Sequence, residues 1–187
     1  MILYLAIIII FIFLYAYLIE PNYIDITRHE IELPGLRSEF DNFRIVHLTD
    51  LHGRKFIQGQ DHLVKLVNRN KPDIIVITGD LIYNVDDFDY IVETISRMNA
   101  ENGIYFSLGN HEYKLPIKQV INSLEEIGVT VLRNKSRIIR SDSGLKAFKL
   151  IGIDDYDEGK PYSLPRLIGD NKLPAILLSH TPDAAED

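Results

Sequence analysis

The sequence contains no cysteine, which excludes disulfides, thiolate nucleophiles and cysteine-held zinc. Any metal it binds must therefore be held by oxygen and imidazole, and cysteine usage reveals nothing of the redox compartment. Positive charge is also scarce: 27 acidic residues outnumber 20 basic ones, for a formal charge of −7 and a pI near 5.3. A chain with this balance does not hold nucleic acid by neutralising phosphates over a broad surface. No Gly-x-Ser-x-Gly elbow occurs, which removes a serine-hydrolase reading. The run ITGDLI at 77–82 has one glycine and no following lysine, so it is not a phosphate-cradling loop. Low-complexity segments and sequence repeats are absent as well. The 187 residues are enough for a terminal apolar segment and one domain with its own core.

One long apolar run is present. Residues 2–19 carry no charge, and Glu20-Pro21 ends the run. As a helix it would reach about 27 Å at 1.5 Å per residue, just enough for a hydrocarbon core. Tyr15 and Tyr17 suit an interface. No basic segment precedes the run and no small-x-small cleavage motif follows it, and a buried core helix would show a polar stripe that this run lacks. The expectation is an uncleaved single-pass transmembrane anchor over residues 1–20, placing the protein in the cell membrane. Because only Arg28 and Arg37 lie near the segment, the domain is expected outside the cytoplasm.

Residues 21–42 read as a linker with an edge strand, since NYIDITRHEIEL alternates loosely between Pro21 and the Pro34-Gly35 turn. The domain then occupies 43–187. FRIVHLTDLH (43–52) is a short buried strand followed by a Gly53–Gly59 loop and a helix over 61–70, with Leu63, Leu66 and Val67 on one face and a stop at Lys71-Pro72. DIIVITGD (73–80) is a continuous apolar run of the kind buried on both faces of a sheet. A helix over 86–100, a strand at 103–111 and a helix over 116–127 complete three strand-helix units, an α/β pattern. From Val129 onward, VTVLRN, SRIIR and LKAFKLIGID read as a meander with a turn at Asp142–Gly144. A short helix at 162–169 and the strand PAILLSH (174–180) follow.

Chemistry gathers at the strand ends. Asp-x-His, here Asp50 and His52, is a metal-ligand pair if the backbone stays extended and both side chains point the same way. Alone, the triplet is equally compatible with a helix cap and a loop histidine. Asp80 and Asn110 follow at intervals of thirty residues, about the length of one strand-helix-strand unit. That spacing puts Asp50, Asp80 and Asn110 on one edge of an open α/β sheet, in the crevice where such sheets bind ligands. His52, His111 and His180 should converge there too. Four core strands ending in D-L-H, G-D, G-N-H and S-H favour a metal site over turn chemistry. Gly79 and Gly109 let the chain turn sharply beside them. A carboxylate between two ligand sets, as Asp80 would be, can bind through both oxygens and bridge two cations. His29 and His62 lie outside this set and read as surface residues. Asp154, Asp155 and Glu112 have no assigned role, and the Asp154-Asp155 pair reads as a solvated loop.

The order of D50-L-H52, G79-D80, G109-N-H-E112 and L178-S-H180 resembles the calcineurin-like metallophosphoesterases from Phe43 to the last residue. The apolar run, LTDLHG and SHTPD resemble the bacterial membrane-associated phosphohydrolases of that family. The resemblance implies a four-layer αββα fold, a β-sandwich flanked by helices. It implies that Asp50 and His52 hold one metal, Asp80 bridges, and Asn110 and His180 hold the second. His111 would be the catalytic residue that contacts the phosphoryl oxygens or leaving group. Two divalent cations are implied, with water attacking phosphorus in line and no covalent enzyme intermediate. Oxygen and nitrogen ligands suit Mn, Fe or Zn. The substrate would be a phosphomonoester or phosphodiester, either a phosphorylated small molecule or, given the anchor, a lipid-linked one. The family's closing Gly-His-x-His has no counterpart here, which would leave each metal one ligand short and makes the chain read as an N-terminal fragment. A rival expectation is a non-catalytic membrane-anchored domain that binds metal or a partner.

Overall fold

Four parallel strands form the frame on which the strand-end residues sit. The computed structural model describes residues 2–19, 24–33, 35–36, 39–53, 60–141, 143–169 and 173–185. Strands β1 (Ile45–Leu48), β2 (Ile74–Thr78), β3 (Ile104–Ser107) and β4 (Val129–Val131) pair in sequence order, all parallel. Each crossover carries one helix: α2 (Gln60–Arg69), α3 (Phe88–Ser96) and α4 (Ile117–Glu126). A second sheet holds β5 (Lys135–Arg140), β6 (Ala147–Gly152) and β7 (Ala175–Leu178), with β5 antiparallel and β7 parallel to β6.

The alternation within β2 explains how the layers assemble. Ile75 and Ile77 face the helices and join Val64, Val67, Ile91, Ile95, Phe106, Val120 and Leu124 in one core. Ile74 and Val76 face the other way, packing with Tyr105 against Ile139, Phe148, Leu150 and Leu178 of the second sheet. A strand buried on both faces needs an uninterrupted apolar run, which IIVIT supplies. Each fully buried Ile or Phe here contributes about 1.5–3 kcal/mol of apolar transfer. Behind the second sheet, Ile151, Ile153 and Leu177 pack against Leu164 and Leu167 of α5 (Leu164–Ile168). The result is an α/β fold with its parallel sheet flanked by helices.

Several expectations need correction. Among the described residues no helix is long and apolar enough to cross a membrane. The N-terminal helix α1 spans Ile2–Leu18, 17 residues, shorter than the uncharged run of residues 2–19. The transmembrane anchor, the single-pass localisation and the extracytoplasmic placement that followed from it are therefore not supported. Residues 24–33 form no edge strand and pair with no ladder. Val129–Val131 is not part of the meander; it closes the parallel sheet beside β3 through α4. The helix expected at 86–100 is shorter: a 3₁₀ turn at Val85–Asp87 precedes α3, which stops at Ser96. Asn68 explains that stop, because its amide donates to the Arg97 carbonyl at 3.0 Å and its oxygen accepts from the Asn99 N–H at 2.9 Å. The Glu20-Pro21 break, Pro34, residues 54–59 and Asp142 lie outside the described residues.

Candidate metal centre

The parallel ladder continues past the strand ends into the loops, and this continuation builds the site. Asp50 N–H donates to the Gly79 carbonyl at 3.3 Å, His52 N–H to Asp80 at 3.0 Å and Gly53 N–H to Leu81 at 2.8 Å. Asp50 and His52 are not on extended backbone as the two-residue spacing suggested. Their φ angles are 50° and 40°, and that of Asp80 is 53°. Left-handed backbone at residues other than glycine is uncommon and costs of order 1–3 kcal/mol, least for Asp. Three such residues in facing loops mark a place where the surrounding contacts hold the chain against its preference. Gly79, at φ 77°, permits the close approach. A Cβ there would lie 2.6 Å from the Gly109 backbone and 2.8 Å from the His180 ring, and a Cβ on Gly109 would lie 2.5 Å from Asp80 Oδ1.

Asp80 occupies the middle, 4 % exposed. Its Oδ2 lies 3.6 Å from His52 Nε2 and 3.9 Å from His111 Nε2, while its Oδ1 lies 3.5 Å from His180 Nε2. Oδ1 also accepts the His111 backbone N–H at 3.0 Å. Two three-residue groups result, His52-Asp80-His111 and Asp50-Asp80-His180, with the donor atoms of each all within 4.8 Å of one another. Asp80 belongs to both. Asn110 stands between Gly109 and His111 at the start of a 3₁₀ turn, Asn110–Lys114. Asp50 groups with His180 and His52 with His111, while His52 Nε2 also lies 3.9 Å from Asp50 Oδ1, the pair that the resemblance puts on one metal. His29 and His62 stand in neither group.

The donor chemistry fits divalent cations. His180 Nδ1 contacts the Thr78 carbonyl at 2.9 Å. A carbonyl only accepts, so Nδ1 carries a proton and, in the neutral ring, Nε2 presents its lone pair to the Asp80 carboxylate. The two atoms lie 3.5 Å apart, a pair that either a proton on Nε2 or a bound cation reconciles. That separation is too long for a hydrogen bond. It is close to the ~3.4 Å that separates two ligand atoms, each about 2.1 Å from one ion, at a tetrahedral angle. Burial works against charging His180, but the Thr78 carbonyl and the carboxylates of Asp80, Asp50 and Asp155 outweigh it and hold its pKa above the ordinary histidine value. On the opposite side of Thr78, its hydroxyl meets His47 Nε2 at 2.8 Å. Burial pushes the His47 pKa down, with Asp50 pulling the other way.

Beneath the site lies a carboxylate to which no role was assigned from sequence. Glu112, 1 % exposed, accepts Gly109 N–H at 2.8 Å and Asp80 N–H at 2.9 Å on Oε2, and Leu81 N–H at 2.8 Å on Oε1. Burial raises its pKa; the three N–H donors pull it down and the Asp80 charge adds to the rise. One charge thus ties both glycine-containing loops together. The sequence signal was its place three residues after Gly109, where a helix-start glutamate reaches back to the first free N–H. Asp154 and Asp155 are buried, not solvated. Asp154 accepts the Tyr113 hydroxyl, Arg133 Nε at 3.0 Å and Lys160 N–H at 2.9 Å, anchoring the 3₁₀ turn that carries His111. Asp155 Oδ1 accepts the Asp157 and Glu158 N–H groups at 3.2 and 2.8 Å.

Residues 43–185 match the calcineurin-like phosphoesterase family. The chain is 33 % identical over 180 residues to the uncharacterised metallophosphoesterase YkuE of Bacillus subtilis, covering 91 % of this chain and 62 % of that one. It is 29 % identical over 175 residues to an uncharacterised metallophosphoesterase of Aquifex aeolicus, covering 88 % of this chain and 64 % of that one. It thus spans somewhat under two thirds of the length of these relatives. Among solved structures, a phosphopantetheinyl hydrolase of Mycobacterium tuberculosis aligns over 59 % of this chain and 42 % of that one, with a TM-score of 0.42 and 16 % identity.

Proposed function

The chain belongs to the calcineurin-like phosphoesterase family, and from that membership we propose that it hydrolyses a phosphate ester with the aid of two divalent cations. The observation that supports this best is the position of Asp80, whose two oxygens face different histidines at 3.5 and 3.6 Å. In this reading Asp50 and His52, 3.9 Å apart, would hold one cation, Asn110 and His180 would hold the other, and Asp80 would serve both. Mn, Fe or Zn suits such oxygen and imidazole donors. Bound there, the cations would neutralise the phosphoryl oxygens and acidify a water.

The remaining work falls to the chain. Glu112 and the His111 N–H fix the backbone and one oxygen of Asp80, so its carboxylate is oriented before any ion arrives. His111 stands beside that carboxylate, its Nε2 3.9 Å from Asp80 Oδ2, and would contact the phosphoryl oxygens or the leaving group. Direct attack by water on phosphorus needs no covalent link to the enzyme. The substrate is a phosphorylated small molecule, as a monoester or a diester. A lipid-linked substrate would need the anchor that α1 does not provide.

The test is hydrolysis of p-nitrophenyl phosphate and bis(p-nitrophenyl) phosphate by protein stripped with chelator and reloaded with Mn²⁺, Fe²⁺ or Zn²⁺. Activity should appear only on reloading, with about two ions bound per chain, and Asp80→Asn should lower turnover by at least about a hundredfold. Ion binding without turnover of either ester would instead favour a non-catalytic metal-binding domain. Full activity in Asp80→Asn would reject the shared-carboxylate reading.

A further inference from the structure

The last residue of the 3₁₀ turn that carries His111 is Lys114, and it stands in an unusual relation to the site. Its Nζ lies 2.8 Å from His111 Nε2. An ammonium has three donors and no acceptor, so in this contact the ring nitrogen accepts. Lys114 is exposed, yet among the described residues it pairs with no carboxylate. That is notable in a chain with 27 acidic residues against 20 basic ones. Tyr83, 53 % exposed, also borders the site, its ring 6.2 Å from both the His52 and the His111 rings. Tyr83 and Lys114 thus both border His111, the one by its ring and the other by its ammonium, and among the described residues Lys114 is a cation beside the site that no carboxylate compensates.

We propose that Lys114 selects doubly charged, terminal phosphoryl groups over phosphodiesters at this site. This rests on the phosphoesterase reading above and names the substrate class within it. A phosphoryl oxygen seated beside His111 comes within reach of the ammonium, which can turn one of its three donors from the imidazole to the ligand. The Coulomb energy between them scales with the charge on the ligand. A monoester phosphoryl group carries close to two negative charges near neutral pH and a diester one, so losing the ammonium costs the dianion twice as much in log affinity. A diester also covers with carbon one of the oxygens that the ammonium could address.

The test uses the Mn²⁺-loaded protein and two small probes, inorganic phosphate and dimethyl phosphate, with binding measured by titration calorimetry for wild type, Lys114→Met and Lys114→Arg. A tenfold loss for phosphate in Lys114→Met corresponds to about 1.4 kcal/mol, and the charge argument then limits the loss for dimethyl phosphate to about threefold. Lys114→Arg should restore most of the phosphate affinity. Equal losses for the two probes, or no loss for phosphate, would overturn the proposal. Because Lys114 is exposed, far-UV circular dichroism should show the variants folded. Binding is read without turnover, so the two readings fail separately. Selective weakening in a protein that hydrolyses neither ester rejects the hydrolase and keeps the selecting cation. Equal losses in an active enzyme do the reverse.

Discussion

Replacing Glu112 by glutamine tests whether the site is held from below. The carboxylate accepts three backbone N–H groups from two loops at 2.8–2.9 Å. An amide can keep two of them by placing its oxygen where Oε2 stands, facing Gly109 and Asp80. Its NH₂ must then face the Leu81 N–H, donor against donor. One buried donor left without an acceptor costs about 1–3 kcal/mol, and two bonds reduced from charged to neutral acceptors cost roughly 0.5–1 kcal/mol each. Removing a buried charge returns part of that. The net expectation is a loss of about 2 kcal/mol, which at a slope of about 2 kcal/mol per molar moves the urea midpoint down by about 1 M. The measurement is equilibrium unfolding in urea with chelator present, followed by Mn²⁺ titration of the folded variant. Metal affinity should fall as well, because the backbone of Asp80 loses one of its fixed points. Glu112→Ala should lose more, on the order of 4 kcal/mol, since all three donors are stranded. A midpoint within about 0.2 M of wild type together with unchanged Mn²⁺ affinity would refute the reasoning, because extrapolation error does not affect midpoints on that scale.

Gly79→Ala should be destabilising by about 2–4 kcal/mol, because its Cβ would lie 2.6 Å from the Gly109 backbone at a residue with φ 77°; calorimetry should show a melting temperature lower by roughly 5–15 °C. Tyr113→Phe removes one donor from buried Asp154 and should cost about 1–2 kcal/mol in urea unfolding, whereas an unchanged midpoint would mean that Arg133 and Lys160 satisfy that carboxylate without it. For pH, burial lowers the pKa of His47, so the unfolded chain binds a proton more readily than the folded one, and His47 makes the protein lose stability as pH falls through about 6.5 and below. The stability of wild type relative to His47→Gln, measured in chelator, should therefore be lower at pH 5 than at pH 8, and a gap that does not change with pH would contradict the sign.

What could be read in advance from the residues, and what could not, follows the range of the forces involved. The positions of β1, β2 and β3 and their ends were legible because they depend on local pattern: IIVIT must be buried on both faces, and the thirty-residue spacing returns each strand to the same edge, though β1, expected buried, leaves Ile45 and His47 exposed. β4 was misplaced because Val129–Val131 is only three residues long, too short for its periodicity to tell a parallel edge from a meander. α1 was over-read because an uncharged run of residues suggests a span whether or not the helix reaches the needed length. The details of the site depend on contacts that no local pattern carries. Asp50, His52 and Asp80 adopt left-handed backbone because two loops some thirty residues apart hydrogen-bond to each other, and a strand-based expectation of parallel side chains has no way to include that. The same holds for Glu112 and Asp154, which look like surface acids in the sequence and are buried only because Gly109, Leu81, Tyr113 and Arg133 bring donors to them. The backbone strain and the buried carboxylate are two sides of one arrangement. Ligand-bearing loops held in unfavourable conformations need an anchor beneath them. In a chain without cysteine, a charged acceptor shared by three N–H groups provides that anchor, and the cost of burying its charge is offset only while both loops stay where the metal ligands require them.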